Sequence, residues 1–220
     1  MKKVFGVIFV VLSVITFSKT ILFDDVDVAA NLARIEQKKL AIVFTTATCP
    51  YCVKLKNETL KDKTVEQLIK ANFVFVEVMY DSSRKTTVFG RQMSYSELFS
   101  YFSVRGVPTT WFLDQNAKPI VSLPGYAPAA TFAQVLRYVY QEIKEDFQSY
   151  SRKKDDFVGE VKLIEVSEEE AQYVLKHDPN AVFVESMPSE VDIFKVHVTK
   201  DEVLAKKLSE TGVFRVLLAK

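Results

Sequence analysis

The only two cysteines of the chain, Cys49 and Cys52, stand three positions apart in the run Thr45-Thr-Ala-Thr-Cys-Pro-Tyr-Cys52. Two thiols at that spacing can exchange disulfides, form a structural bridge or contribute to a metal site. A bridge closing so short a loop stabilises by only about 2 kcal/mol, less than a long-range staple would. Structural zinc needs four ligands, and the only histidines, His177 and His197, fall in the C-terminal part of the chain and read as surface or packing residues. Exchange fits the local pattern best. An apolar stretch, Leu40-Ala-Ile-Val-Phe44, feeds the cysteines, and a helical pattern follows from Pro50. A cysteine at the start of that helix faces the positive end of its dipole and unpaired N–H groups, which favour the thiolate. Cys49 is therefore the candidate nucleophile. Cys52 is the resolving thiol, close enough to attack a mixed disulfide formed on Cys49.

The elements that must hold this pair are readable from hydrophobic period. Val28, Leu32 and Ile35 mark an amphipathic helix within residues 24–39, and residues 40–44 form a short buried strand. A helix is expected from Pro50 to about Leu60 with Val53 and Leu55 inward, then a second over 64–72, then a strand over Phe73-Val-Phe-Val-Glu-Val-Met79. Residues 81–93 read as an exposed loop. Ser94 and Glu97 have the spacing of a capping box and open a helix to about Ser103. Residues 106–114 enter a strand, Asp114 to Lys118 turn the chain, and 119–123 return as the other arm of a hairpin. A long helix over 129–147 closes the unit. The polar run 149–158 is the expected linker. Beyond it, 161–166, 181–185, 191–198 and 213–218 read as strands. Helices open at two further boxes, Ser167 to Glu170 and Thr199 to Glu202.

Composition limits the alternatives. The chain has 220 residues, 48% of them hydrophobic, with 29 basic and 28 acidic side chains. That excludes a disordered tail, a polybasic nucleic-acid binder and a disulfide-rich mini-protein. Residues 1–150 carry 18 basic and 14 acidic side chains and residues 151–220 carry 11 and 14, a mild asymmetry consistent with two modules. Lys2 and Lys3 precede an apolar run over residues 4–17, followed by Ser18, Lys19 and Thr20. This is the pattern of a secretory signal, too short for the ~20 residues of a spanning helix. Residues 1–20 are thus expected to be a signal peptide or an N-terminal anchor, with 4–17 as a possible membrane tether. Export would put the cysteines where disulfides persist.

The apolar strand, Cys49-Pro-Tyr-Cys52 on the next helix, Val104-Arg-Gly-Val-Pro-Thr109, the hairpin and the final helix together resemble the thioredoxin superfamily over roughly residues 24–147. Residues 112–118 and Leu123-Pro-Gly-Tyr126 make the chain most similar to periplasmic thioredoxins of the SoxW type. The resemblance implies a thioredoxin fold over 21–148, a central mixed sheet flanked by helices, with a small C-terminal α/β appendage over 159–220. It implies that Pro108 is cis and faces the cysteine pair. The backbone of Val107 would pair with an extended substrate segment, and Pro50 and Tyr51 would shape the contact surface. Tyr126 falls near the same edge. It further implies a periplasmic or extracytoplasmic thiol-disulfide oxidoreductase acting on disulfide or thiol proteins, reductive in direction, with a membrane dithiol electron donor, no dissociable cofactor and no nucleic-acid partner.

Alternatives within the same resemblance are a disulfide oxidase or isomerase, and a redox-inert protein that uses the groove to hold a partner. The chain departs from the family pattern at Val43, where thioredoxins carry a buried Asp that assists the second cysteine, and at Thr48, where they carry Trp. Another base or water must then serve Cys52. Lys54 and Lys56 read as a solvated face that could add positive potential near Cys49. Phe99, Tyr101, Phe102, Trp111 and Phe112 read as core and groove wall. The C-terminal unit faintly resembles half of a rhodanese domain over 161–198 and the later part of a thioredoxin fold over 191–218. It has no cysteine, so sulfur transfer there is excluded, and it reads as a packing or partner-binding appendage.

Overall fold

The computed structural model describes residues 22–88 and 90–220. The expected signal or anchor, residues 1–20, lies outside the described residues. The first unit begins with β1 (Leu22–Phe23), α1 (Val26–Ile35), β2 (Lys39–Thr45) and α2 (Pro50–Lys54), which runs on as a π-helical turn over Leu55–Thr59. It continues through α3 (Lys63–Asn72), β3 (Phe73–Met79), β4 (Lys85–Val88), β5 (Arg91–Ser94) and α4 (Tyr95–Tyr101). It ends with β6 (Thr109–Leu113), β7 (Pro119–Pro124), α5 (Ala129–Tyr140) and the short α6 (Phe147–Tyr150).

Five strands form one mixed sheet in the order β1-β3-β2-β6-β7. β2 is central, parallel to β3 and antiparallel to β6, and all seven of its residues are buried. Its alternation divides the core. Leu40, Ile42 and Phe44 face α1 and α4, where they meet Leu32, Leu98 and Phe99. Ala41 and Val43 face the other way, against Leu55, Leu68 and Leu136. Each fully buried side chain of this size adds roughly 1.5–3 kcal/mol. Both layers press on β2, so the loop leaving its C-terminal end, which carries Cys49, starts from a fixed point.

Several local expectations need correction. Residues 81–93 are not a plain loop, because β4 and β5 pair as an antiparallel hairpin from Lys85–Ser94 to Val88–Arg91. Val53 is half exposed and only Leu55 of that pair points inward, because residues two apart on a helix do not share a face and the inward one is taken by Cys52 and Leu55. The helix from residue 129 stops at Tyr140, where Glu142 takes a left-handed φ of 52°, and Phe147–Tyr150 forms a separate turn capped by Asp146. The aromatic cluster is split by the sheet: Phe102 and Trp111 pack together at 5.5 Å on one face, while Phe112 packs with Phe73 and Phe75 on the other.

The second unit comprises β8 (Lys162–Val166), α7 (Glu168–His177), β9 (Ala181–Phe183), β10 (Val196–Thr199), α8 (Glu202–Glu210) and β11 (Arg215–Ala219). Its sheet is wholly parallel, in the order β8-β11-β10-β9. The likeness of 191–218 to a late thioredoxin segment therefore fails: β10 and β11 are parallel across a helix, not an antiparallel hairpin. The strand expected over 191–198 is confined to its last residues, and α8 is capped by Asp201, not by a box at Thr199. The Ser167 and Glu170 box forms as expected.

A unit this small is marginal alone, and it is joined to the first through a shared core. Ile164, Val166, Ala171, Val174 and Leu217 belong to the same apolar cluster as Leu32 and Ile35 of α1. Arg215 is buried at the junction, with its guanidinium donating to the carbonyls of Glu36 and Glu160 at 2.8 Å and of Phe214 at 2.6 Å. The connecting chain lies along the first unit: Asn72 Nδ2 donates to Val158 O at 2.7 Å and Arg137 Nε to Phe157 O at 2.8 Å. At Gly159 a side chain would meet Ala71 Cβ at 2.8 Å, so the close approach requires glycine.

Candidate active site

Cys49 and Cys52 sit where β2 turns into α2 and are joined by a disulfide. Cys49 is the N-cap of α2, and its Sγ accepts the backbone N–H of Cys52 at 3.0 Å. Pro50 at the first helical position has no N–H to leave unpaired and a φ already suited to the helix. The pair is unequal in access. Cys49 is 8% exposed at the rim and Cys52 is 1% exposed beneath it, so only the first can meet a large substrate. A thiolate on Cys49 would keep the Cys52 N–H as a charge-assisted donor, which lowers a thiol pKa.

Opposite the disulfide lies the segment entering β6. The Val107–Pro108 peptide bond is cis, and Val107 O lies 3.6 Å from Cys49 Sγ. In the disulfide this sulfur carries no proton, so the approach is a contact; in the dithiol Cys49 could donate to that carbonyl. Gly125 N donates to Pro108 O at 2.8 Å and so fixes Pro108 against the end of β7. Pro108 itself is buried, while Val107 is half buried and its N–H makes no hydrogen bond among the described residues.

Tyr51 is 60% exposed beside the disulfide. Its ring lies 6.1 Å from that of Tyr126, which brings Tyr126 to the same edge. Lys54 Nζ sits 4.9 Å above the Tyr126 ring and 3.8 Å from Glu58, whose carboxylate is 3.4 Å from the Tyr126 hydroxyl. Lys56 turns inward instead and donates to Glu77 at 2.9 Å. Neither lysine is therefore an unpaired positive charge aimed at Cys49. Thr48 is exposed on the approach to Cys49.

Sequence reasoning missed Glu77. It stands directly across from Val43 in the β2–β3 register, and its carboxylate also accepts the hydroxyl of buried Thr45 at 2.7 Å. The signal was one charged residue inside the otherwise apolar strand 73–79.

Among the described residues no group of three or more His, Cys, Asp or Glu is arranged to hold a metal ion, and no helix is long and apolar enough to cross a membrane. His197 is buried on β10 with Nδ1 3.2 Å from Lys195 O, and His177 stacks on Tyr173 at 4.4 Å. Burial holds the His197 imidazolium below the usual histidine range.

Comparison with known proteins places the chain in a family. A family described as thioredoxin-like domain matches residues 26–140, just over half of the chain and every residue placed at the site above. No curated protein matches the chain. Among solved structures, a thioredoxin-fold protein from Helicobacter pylori is 26% identical, covering 58% of this chain and 96% of its own, with a TM-score of 0.45. A thioredoxin from Thermus thermophilus is 27% identical, covering 61% of this chain and 97% of its own, with a TM-score of 0.44. The C-terminal domain of DsbD from Neisseria meningitidis in its reduced form is 16% identical, covering 50% of this chain and 90% of its own, with a TM-score of 0.41.

Proposed function

This chain belongs to the thioredoxin-like domain family, and on that footing we propose that it is a thiol-disulfide oxidoreductase that reduces disulfides in protein substrates outside the cytoplasm. The observation that carries the reading is the unequal pair: a rim Cys49 capping α2 over a buried Cys52, with the Val107 backbone 3.6 Å from the outer sulfur.

The reaction follows from that arrangement. In the dithiol form, the Cys49 thiolate attacks one sulfur of a substrate disulfide. A bond forms between Cys49 Sγ and that sulfur, the substrate S–S bond breaks, and the second substrate sulfur leaves as a thiolate that takes a proton. Cys52 then loses its proton and attacks Cys49 Sγ, which releases the first substrate sulfur. The substrate gains two electrons and the protein is left as the Cys49–Cys52 disulfide. An extended substrate strand would pair with Val107 across Pro108, with Pro50 and Tyr51 forming the floor and Tyr126 the far wall.

Direction rests on electrostatics. A strongly oxidising pair needs an over-stabilised thiolate, and here the two nearby lysines are taken up by Glu58 and Glu77. That favours the reductive end. Export through residues 1–20, a periplasmic setting of the SoxW type, a possible tether through 4–17 and re-reduction by a membrane dithiol protein belong to the same proposal, supported by the charged and apolar pattern of the N-terminus. The second unit would position partners. The test is reduction of insulin disulfides with dithiothreitol as donor: wild type accelerates the reaction and Cys49→Ser falls to the uncatalysed rate, whereas equal rates overturn the proposal.

A further inference from the structure

At the end of the sheet away from the disulfide, an open cleft of about 480 Å³ lies between the β6–β7 hairpin and the C-terminus of α5. Two backbone irregularities shape it. In the β6–β7 ladder Phe112 pairs with Val121 and Leu113 with Pro119, so Ile120 is a bulge with no partner across it. A bulge re-aims its side chain, and Ile120 and Val121 stand 42% and 41% exposed on one wall of the cleft. On the other side Glu142 takes a φ of 52° just after α5, a conformation few residues other than glycine adopt. That turn carries Ile143 and Lys144 round to face the hairpin, with buried Val139 between them as the floor.

The charged groups of the cleft are unevenly matched. Glu142 accepts from Lys39 Nζ at 2.8 Å, and Asp114 Oδ1 accepts the N–H groups of Asn116 and Lys118 at 2.9 Å. The side chains of Lys118 and Lys144 line the cleft as well, and among the described residues neither lies within ion-pair distance of a carboxylate. Lys39, Lys118 and Lys144 thus exceed Asp114 and Glu142 by one charge. A single negative charge completes the site, whereas a dianion would overshoot and meet the two carboxylates. Addition of a peptide strand is disfavoured at this edge, because β7 begins at Pro119 and ends at Pro124, which have no N–H to offer.

We propose that this cleft binds a small aliphatic carboxylate, its chain against Ile120, Val121, Val139 and Ile143 and its carboxylate between Lys118 and Lys144. The volume is that of a small-molecule site, and apolar walls with a few polar groups that fix orientation are the usual lining of one. The site is separate from the disulfide: β2 runs from Lys39, behind the cleft, to Thr45, before the loop of Cys49, roughly 20 Å along the strand. The inference therefore stands apart from the oxidoreductase reading.

The test is titration of the full chain with decanoate, below its micelle concentration, followed by backbone amide NMR, with decanol as the uncharged control. Saturable shifts confined to residues 114–121 and 138–144 are expected, with decanoate bound about tenfold more tightly than decanol, the discrimination two exposed ion pairs supply. The double substitution Lys118→Ala and Lys144→Ala removes that discrimination, and Ile120→Ser weakens both ligands about fivefold. Amide spectra unchanged outside the cleft show that both variants keep the fold. No saturable shift at the cleft, or equal affinity of the wild type for decanoate and decanol, overturns the inference. So does a dimer of the unliganded chain in sedimentation that Ile120→Ser dissociates, which would assign this face to a second copy.

Discussion

Cys49 Sγ lies 3.6 Å from the carbonyl oxygen of Val107, 58 positions further along the chain. The contact joins the end of β2 to the start of β6, and it is made by backbone on the Val107 side. The contact therefore does not depend on the identity of the side chain at 107.

On the proposed reading, substrate pairing at this edge depends on main-chain groups. A disulfide peptide N-methylated at the residue that pairs with Val107 should lose one hydrogen bond, about 1 kcal/mol, or roughly fivefold in kcat/KM. Val107→Ala should change the unmethylated reaction less than threefold. Steady-state kinetics on the two peptides checks this; equal rates for both would exclude strand pairing.

The reduction potential of the pair should fall nearer the thioredoxin value of about −270 mV than the DsbA value of about −120 mV. Lys54 and Lys56 are each matched by a carboxylate, so the thiolate gains little from them. Equilibration in glutathione or dithiothreitol buffers gives the number. A value above about −150 mV would assign the protein to disulfide formation instead.

Arg215 holds the two units together through carbonyls on both sides of the junction. Arg215→Met should cost about 2–4 kcal/mol, since it strands buried acceptors. Arg215→Lys should recover less than half, because an ammonium cannot span the fork of a guanidinium. Urea unfolding of the three proteins reads both effects.

Glu36 sits at the same junction, 1% exposed, paired with Lys38, whose Nζ is 2.8 Å from Oε2. Burial raises its carboxyl from 4.5 to about 7, against the opposing pull of Lys38 and with a further push from Asp178. The folded protein therefore binds this proton more tightly than the unfolded chain. The stabilisation is fully present below pH ~4.5 and is lost as pH rises through about 7. Relative to Glu36→Gln, the wild type should lose about 3 kcal/mol across that window, measured by urea unfolding at pH 4 to 8.

Much of this was legible in sequence for a physical reason. β2 and β3 are short apolar runs that only a central strand tolerates, and the Ser94 and Ser167 boxes carry their own geometry. The cysteine pair needed only spacing and the helix that follows it. What escaped was set by tertiary contact. Which face of α2 meets the sheet is set by its packing through Cys52 and Leu55, and that leaves Val53 to solvent. Lys56 looked like a solvated lysine because Glu77, its partner, is 21 positions away. The all-parallel pairing of β10 and β11 depends on where α8 packs, which period alone does not specify.

The central claim is that Cys49 is the nucleophile and Cys52 resolves. The most direct measurement is mass spectrometry of the Cys52→Ser protein after reaction with an oxidised peptide disulfide. A stable mixed disulfide mapped to Cys49, absent from Cys49→Ser, is the predicted result. No adduct on Cys49 in the reduced, folded protein would contradict the account.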